Sequence, residues 1–380
     1  MNILYVQYGY NEGPAKGGAD QRSQYIIEAL RSRGEVYILA FTYYPDEERY
    51  CDNGRIAVRC IERRMSPLYI FNRFVQKWLG VVRYHPFGAK RAVARAFPGI
   101  KFDAVVCRFS KIAGYAKLWD LAPVFVDVDD YPLEMFQTAI LPHLGISRGI
   151  AGHLVRHWQA NIFRRAQGLW VANPKHVAML PEEKGKWLPN LPPRDKRGPC
   201  AIDLPRDSIM TVASFAHSPN AHGVSRFLAE VWPQFHAKHP NIRYRLIGKA
   251  IPPEFGSTDG VDVVGFVDDI RPEYERAFFA CVPIFSGSGT CIKALEAPSM
   301  GRVALCSPFG ARGIADSLLG QGVEAANDRN EFLSMALRLV EDQNHRENEE
   351  RAAPSAIEKE YNFAAFSRTI HNAMECISGK

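Results

Sequence analysis

The chain lacks any run of about 18 uncharged apolar residues, so no membrane-spanning helix is expected. Its opening stretch, MNILYVQYGY, has neither a basic leader nor a cleavage site, and is expected to be the first strand of a folded domain rather than a signal peptide. No Cys-x-x-Cys pair occurs among the eight cysteines (51, 60, 107, 200, 281, 291, 306, 376), which argues against a zinc or disulfide framework. Several of them fall inside apolar strands, as buried free thiols in a reducing cytoplasm would. The loop after the first strand is not Gly-x-Gly-x-x-Gly and no acid ends the second strand, which disfavours a nicotinamide-dependent dehydrogenase. Fixed-period repeats and low-complexity tracts are missing as well.

What is present describes an ordinary globular protein. The 380 residues are 47% hydrophobic and 23% charged, with a net charge of +6, and that length favours two domains. The charge is uneven. Between Arg55 and Phe97 ten Lys/Arg stand against one acid, Glu62, interleaved with Tyr69, Phe71, Phe74, Trp78, Tyr84 and Phe87. Such a segment can lie on an anionic bilayer, or it can form core-packed helices with a solvated basic face. Nucleic acid is the weaker reading, because no reader motif accompanies the charge.

Apolar segments alternate with helical ones through the first half. Strands are expected at Asn2–Gln7, Glu35–Thr42, Asp103–Cys107, Pro123–Val128 and Gly168–Asn173, with helices at about Ala19–Arg33 and Ile150–Ala166. Strands that are apolar throughout indicate a parallel sheet covered on both faces. A proline-rich stretch, Pro189–Pro199, reads as a linker. The alternation then restarts with Ser208–Ser214, a helix opened by Ser218 as N-cap with Pro219 in its first position, and strands at Ile242–Ile247, Val261–Val264, Ala280–Phe285 and Arg302–Cys306. The expected organisation is residues 1–190, a linker over 191–206, a second domain over 207–360, and a final segment, 361–380, crossing back to the first. In open sheets of this kind ligands bind outside the carboxyl ends of the strands.

The most informative of those ends is Pro283–Glu296, where a strand passes through Ser286-Gly287-Ser288-Gly289-Thr290 directly into a helix. Glycines admit a ligand close to the backbone, and the free N–H groups of a helix start attract an anion. Lys293 in that first turn opposes the helix dipole, so a negatively charged ligand explains it better than stability does. Glu296, one turn on, suits ribose hydroxyls. The bland alternative is a Gly-rich turn carrying a solvent-exposed Lys–Glu pair. In the first half, Asp127-Val128-Asp129-Asp130 follows a strand. Three carboxylates so close need relief by solvent, cation or ligand. Contact with sugar or acceptor hydroxyls, with Asp129 or Asp130 as general base, ranks ahead of helix capping, and a metal site ranks third. Arg22 and Arg108 are candidates for an acceptor phosphate, and structural pairing is the commoner fate of such arginines.

In its second half the chain resembles the retaining GT-B glycosyltransferases, the large nucleotide-sugar-dependent family 4 type (glycosyl transferases group 1). The matches run in order: Ser218-Pro219-Asn220 before the helix ending at Val231-Trp232-Pro233, Arg245–Gly248, Val264–Asp269, Gly287–Thr290 with Ile292–Ala297, and Gly310–Gly313. Gly17-Gly18, Arg22 and Pro189-Asn190 match more loosely. The resemblance implies an α/β chain of two doubly wound Rossmann-like domains facing each other across a cleft. It implies that Gly265, Phe266 and Val267 hold the base through backbone groups, and that Glu296 binds the ribose. The amides of Ser288, Gly289 and Thr290, with Lys293, would neutralise the diphosphate, and Gly17 and Gly18 would lie near the donor. It also implies no cofactor beyond the nucleotide-sugar donor, no metal, and a cytoplasmic enzyme, peripheral on the inner face of the membrane, acting on a glycan or lipid-linked acceptor. Two departures stand out. Many relatives carry two glutamates eight positions apart, and here the earlier position is Ser288. The usual basic residue after the first strand of the second domain is replaced in the Ser214-Phe215 region, with Lys293 or Arg312 left to compensate. A nucleotide-sugar epimerase of the same shape and a non-catalytic nucleotide-binding partner subunit are the alternatives.

Overall fold

A computed structural model describes residues 1–13, 17–42, 45–60, 88–129, 131–135, 148–195, 197–286 and 290–378. The basic-aromatic stretch over 61–87 therefore lies outside the described residues, apart from its flanks. The chain divides into two units, Met1–Pro189 with Phe363–Lys380, and Asn190–Asn362.

In the first unit the described strands form one sheet: β1 (Asn2–Tyr8), β2 (Glu35–Thr42), β3 (Arg49–Cys51), β4 (Ile56–Cys60), β5 (Ala104–Arg108), β6 (Val124–Asp127), β7 (Gly168–Val171) and β8 (Gly185–Trp187). Their order is β3-β4-β2-β1-β5-β6-β7-β8, parallel throughout except where β3 meets β4. The order reverses direction at β1, which places the ends of β1, β5 and β6 at a switch point. Continuous apolar runs make this possible: Ile3, Leu4, Tyr5 and Val6 are all buried, as are Val105, Val106, Phe125 and Val126. Helices Gly18–Arg31 and Arg148–Arg165 connect strands, as their apolar spacing predicts. The last helix, Phe363–Ser378, packs on Gly18–Arg31 through Phe363 and Phe366 against Tyr25.

The second unit holds six parallel strands among the described residues: β9 (Ser208–Ser214), β10 (Arg243–Lys249), β11 (Val261–Gly265), β12 (Ala277–Val282), β13 (Val303–Cys306) and β14 (Val323–Ala325), in the order β11-β10-β9-β12-β13-β14. Helix Ser218–Glu230 buries Val224 and Phe227 against the sheet, and Val231 and Trp232 follow them into the core. Removing each such side chain from water contributes about 1.5–3 kcal/mol. These two parallel-sheet units are the GT-B architecture that the sequence led us to expect.

Local details differ. Ser218 is the first residue of its helix and His217 the N-cap, with no side-chain cap hydrogen bond. The chain is drawn in instead by Asn220, whose Nδ2 donates to the Ser214 carbonyl at 2.7 Å. Strand β12 starts earlier than expected and stops at Val282, because Pro283 has no N–H to continue a ladder. Residues 283–286 are thus loop, at the carboxyl end of a central strand. Every described cysteine named in the fold is free, with Cys107, Cys200, Cys281 and Cys306 buried. No helix among the described residues is long and apolar enough to cross a membrane.

Candidate active site

In the second unit the helix that follows the glycine loop, Lys293–Ser299, begins at Lys293 itself. The Lys293 Nζ donates to Oδ1 of Asn220 at 3.2 Å. Asn220 is buried, and its two amide ends are both committed, one to Ser214 and one to Lys293. That geometry depends on how closely helix Ser218–Glu230 approaches the end of β12. A Cβ on Gly223 would lie 1.9 Å from the Pro283 carbonyl oxygen, so only glycine permits the approach.

Glu296 sits one turn beyond Lys293, partly buried. Burial pushes its carboxyl up to about 7, against the opposing pull of Lys293 and of a hydrogen bond from Tyr274. Tyr274 is fully buried and its hydroxyl is pushed well above its ordinary value by burial. A carboxylate whose charge burial opposes is unfavourable for the fold alone, and in its ionised form it can accept hydrogen bonds from an incoming hydroxyl. His217 at the mouth of the same helix pair is shifted down by burial and by the nearby Lys293. Thr290 is buried. Gly287, Ser288 and Gly289 lie outside the described residues.

Across the sheet, β11 ends at Gly265, which adopts φ +84°, and turns out Phe266, 61% exposed. Val267 follows, partly buried. The Lys249 Nζ stands 4.6 Å above the Phe266 ring. An exposed aromatic ring at a strand's carboxyl end offers a face to a planar base. Gly310 in the last glycine loop approaches the Val282 carbonyl so closely that a Cβ would come within 2.7 Å.

Sequence reasoning missed a cavity of about 240 Å³ in this unit, between helix Ser218–Glu230 and helix Arg329–Glu341. Phe285, Pro308 and Arg226 line it, and the Arg226 guanidinium stacks over Phe285 at 4.3 Å. The signal was the run Pro283-Ile284-Phe285, which looks like strand but lies past the strand's end.

In the first unit Arg22, Arg108, Asp127 and Asp129 form one cluster. Asp127 ends β6 with no exposed surface, and it takes Arg22 Nη2 at 2.6 Å and Arg108 Nη1 at 2.7 Å. Arg108 Nη2 reaches Asp129 at 2.6 Å, and Arg22 Nη1 donates to the Leu188 and Pro189 carbonyls. Burial works against the Arg108 charge, but Asp129 and Asp127 outweigh it and hold the guanidinium ionised. The sequence suggested these arginines for an acceptor phosphate. Both are almost wholly buried, and the geometry gives both intramolecular carboxylate partners. The crowding of Asp127 and Asp129 is relieved by arginines from helix Gly18–Arg31 and β5. Asp129 (φ +38°) and Phe109 (φ +72°) both sit in left-handed backbone at adjacent strand ends, where side chains are strained. Asp130 lies outside the described residues. Gly17 is the N-cap of its helix, exposed, with open space where a Cβ would project, and Gly18 begins the helix.

Two units of this kind, each with its candidate side chains at strand carboxyl ends, have the GT-B fold. More particularly, residues 206–342 match the profile of the family described as Glycosyl transferases group 1. None of the curated proteins matches the sequence. Among solved structures the chain resembles sucrose-phosphate synthase from Thermosynechococcus elongatus, at 14% identity and TM-score 0.69, covering 98% of each chain. It also resembles a UDP-forming α,α-trehalose-phosphate synthase from Burkholderia xenovorans, at 11% identity and TM-score 0.65, covering 100% of each chain. HepE of Anabaena in complex with UDP is similar at 12% identity and TM-score 0.61, covering 99% of this chain and 100% of that one.

Proposed function

We propose that this glycosyltransferase moves a sugar, with retention of anomeric configuration, from a nucleoside-diphosphate donor to a glycan or lipid-linked acceptor in polysaccharide or glycolipid synthesis. The observation that carries the reading is the Asn220–Lys293 contact beside Glu296 within the group 1 domain. In this reading the donor diphosphate displaces Asn220 as the partner of Lys293. Lys293 and the amides of residues 288–290 stabilise the charge that develops as the bond from the anomeric carbon to the phosphate oxygen breaks. The acceptor oxygen bonds to that carbon, and its proton goes to the departing phosphate. Glu296 accepts the ribose hydroxyls, and Gly265–Val267 with the Phe266 face receives the base. In this reading Gly17, with open space where a Cβ would project, and Gly18 contact the donor. Asp129, clamped by Arg108, serves to orient acceptor hydroxyls, with Asp130 beside it in sequence.

The site requires no resident cofactor in this scheme. We further assign the enzyme to the cytoplasmic face of the membrane, with the basic-aromatic stretch between Arg55 and Phe97 as the contact with anionic lipid. The test is a turnover screen with uridine-, guanosine-, thymidine- and adenosine-diphosphate sugars, each with and without acceptor extract. Similar structures solved with UDP and with UDP-glucose make the uridine donors the first to try. A glycosylated acceptor plus free nucleoside diphosphate supports transfer. Nucleotide release with no acceptor product points to an epimerase, and binding without release to a non-catalytic subunit.

A further inference from the structure

Away from the Lys293 helix start, the second unit gathers three metal-ligating side chains that the proposed reaction does not use. Glu324 lies on β14, the edge strand. His345 and Glu349 stand four residues apart on helix Gln343–Glu360, hence on one face of it. The His345 Nε2 is 2.6 Å from Glu324 Oε1 and 3.3 Å from Glu349 Oε1. One ligand atom from each residue can be chosen so that all lie within 4.8 Å of one another. Both glutamates are over nine-tenths buried.

Two buried carboxylates facing each other are costly unless something positive lies between them. The Gly322 N–H, donating to Glu349 Oε2 at 3.0 Å, fixes the orientation of that carboxyl. The His345 Nε2 faces Glu324 Oε1 and Glu349 Oε1. It leaves Glu324 Oε2, which is buried and has no hydrogen-bond partner. A buried carboxylate oxygen without a donor, on a residue already in contact with a His/Glu pair, calls for a further positive partner.

We infer that Glu324, His345 and Glu349 form a binding site for one divalent transition-metal cation of the zinc class. One imidazole nitrogen with two carboxylate oxygens suits zinc, manganese or iron(II), while the nitrogen donor weighs against magnesium and calcium. Ligand atoms now 2.6 Å apart spread slightly to surround an ion at about 2.0–2.2 Å from each. The ion ties the edge strand to helix Gln343–Glu360. That helix also packs on the helix bearing Lys293: a Cβ on Gly322, just before β14, would strike Ala353 at 2.4 Å and Pro298 at 3.0 Å. The cation is therefore a structural brace behind the donor site, and not a participant in sugar transfer.

The test uses the full chain, stripped with chelator and titrated with Zn²⁺ and, as a spectroscopic probe, Co²⁺. The expected result is one ion per chain by elemental analysis and a visible Co²⁺ spectrum without thiolate charge-transfer bands. Saturating Zn²⁺ should also raise the thermal midpoint by about 5 °C. Glu324→Gln and His345→Gln each weaken binding by at least about tenfold. Glu324→Gln leaves the metal-free thermal midpoint at or above that of the parent, since it removes one of two opposed carboxylates, so loss of binding there is not loss of fold. Failure of the parent to bind stoichiometrically overturns the inference. So does a thiolate-type cobalt spectrum, or binding unchanged in both variants.

Discussion

The amino group of Lys293 lies 3.2 Å from the side-chain oxygen of Asn220, 73 positions earlier in the chain. This contact joins the Ser-Pro-Asn segment to the glycine-loop helix. It gives a lysine that opposes its own helix dipole a neutral partner that a diphosphate can replace. Replacing Lys293 by Ala should lower donor turnover on the order of a hundredfold, as removal of one charge-stabilising donor does elsewhere. Asn220→Ala should cost less, about threefold to tenfold, through lost positioning. Steady-state release of nucleoside diphosphate measures both. Unchanged kinetics for Lys293→Ala would remove it from the reaction.

Glu296→Gln separates binding from stability. The folded-state value of about 7 exceeds the ordinary 4.5, so the folded protein binds the proton more tightly than the unfolded chain does. Stability is greatest below about pH 4.5 on this group's account, declines as pH rises towards 7, and stays lower above it. At pH 8 the Gln variant should therefore be more stable than the parent by on the order of 1–3 kcal/mol, with the gap closing near pH 4.5. Urea denaturation at the two pH values measures this. The same variant should bind nucleotide-sugar more weakly. Parent affinity should fall as pH drops through 7, because the ionised form accepts the ribose hydroxyls.

Asp127→Ala strips both Arg22 and Arg108 of their shared buried carboxylate. Breaking such a network leaves uncompensated buried charge, and the expected loss is about 3–5 kcal/mol. Denaturant midpoints report it. An effect under about 1 kcal/mol would mean that Asp129 alone suffices to hold the two guanidiniums.

Gly223→Ala should displace helix Ser218–Glu230 from the Pro283 carbonyl, at an overpacking cost of about 1–3 kcal/mol. Because Asn220 rides on that helix, donor affinity should fall in parallel. Calorimetry with the best donor from the screen, alongside denaturation, tests whether the two losses go together.

Much of this architecture could be read from residues in a row. Strands such as Glu35–Thr42 and Ser208–Ser214 announce themselves by unbroken apolar runs, and the expected two-unit GT-B fold rests on those. Short edge strands did not show. Val323–Ala325 and Gly185–Trp187 have three residues each, too few for any periodicity. The helix cap at Ser218 misled because the tertiary hydrogen bond from Asn220 to Ser214 fixes the turn without it. The Arg22–Asp127 pair was equally hidden. It bridges 105 positions, and only the tertiary fold brings the two together. Sequence could show that acids crowd at 127–130, that Arg108 stands at a strand end and that Arg22 lies in the first helix, but not that these arginines meet Asp127 and Asp129. The shift at Glu296 belongs to the same class, since it follows from burial beside Tyr274, which no local pattern foretells.

The helix Phe363–Ser378 buries Phe366, Ile370 and Met374, and His371 reaches the Ala29 carbonyl at 2.9 Å. The unit begun by Met1–Pro189 is thus completed by a helix that follows the whole of Asn190–Asn362. During synthesis the leading sheet must wait, one apolar helix face uncovered, until the whole trailing module has been translated. Chaperone dependence, or loss of yield on trimming the last turns, is the natural outcome of that delay. The smallest self-sufficient fragment is then the trailing module rather than the leading one.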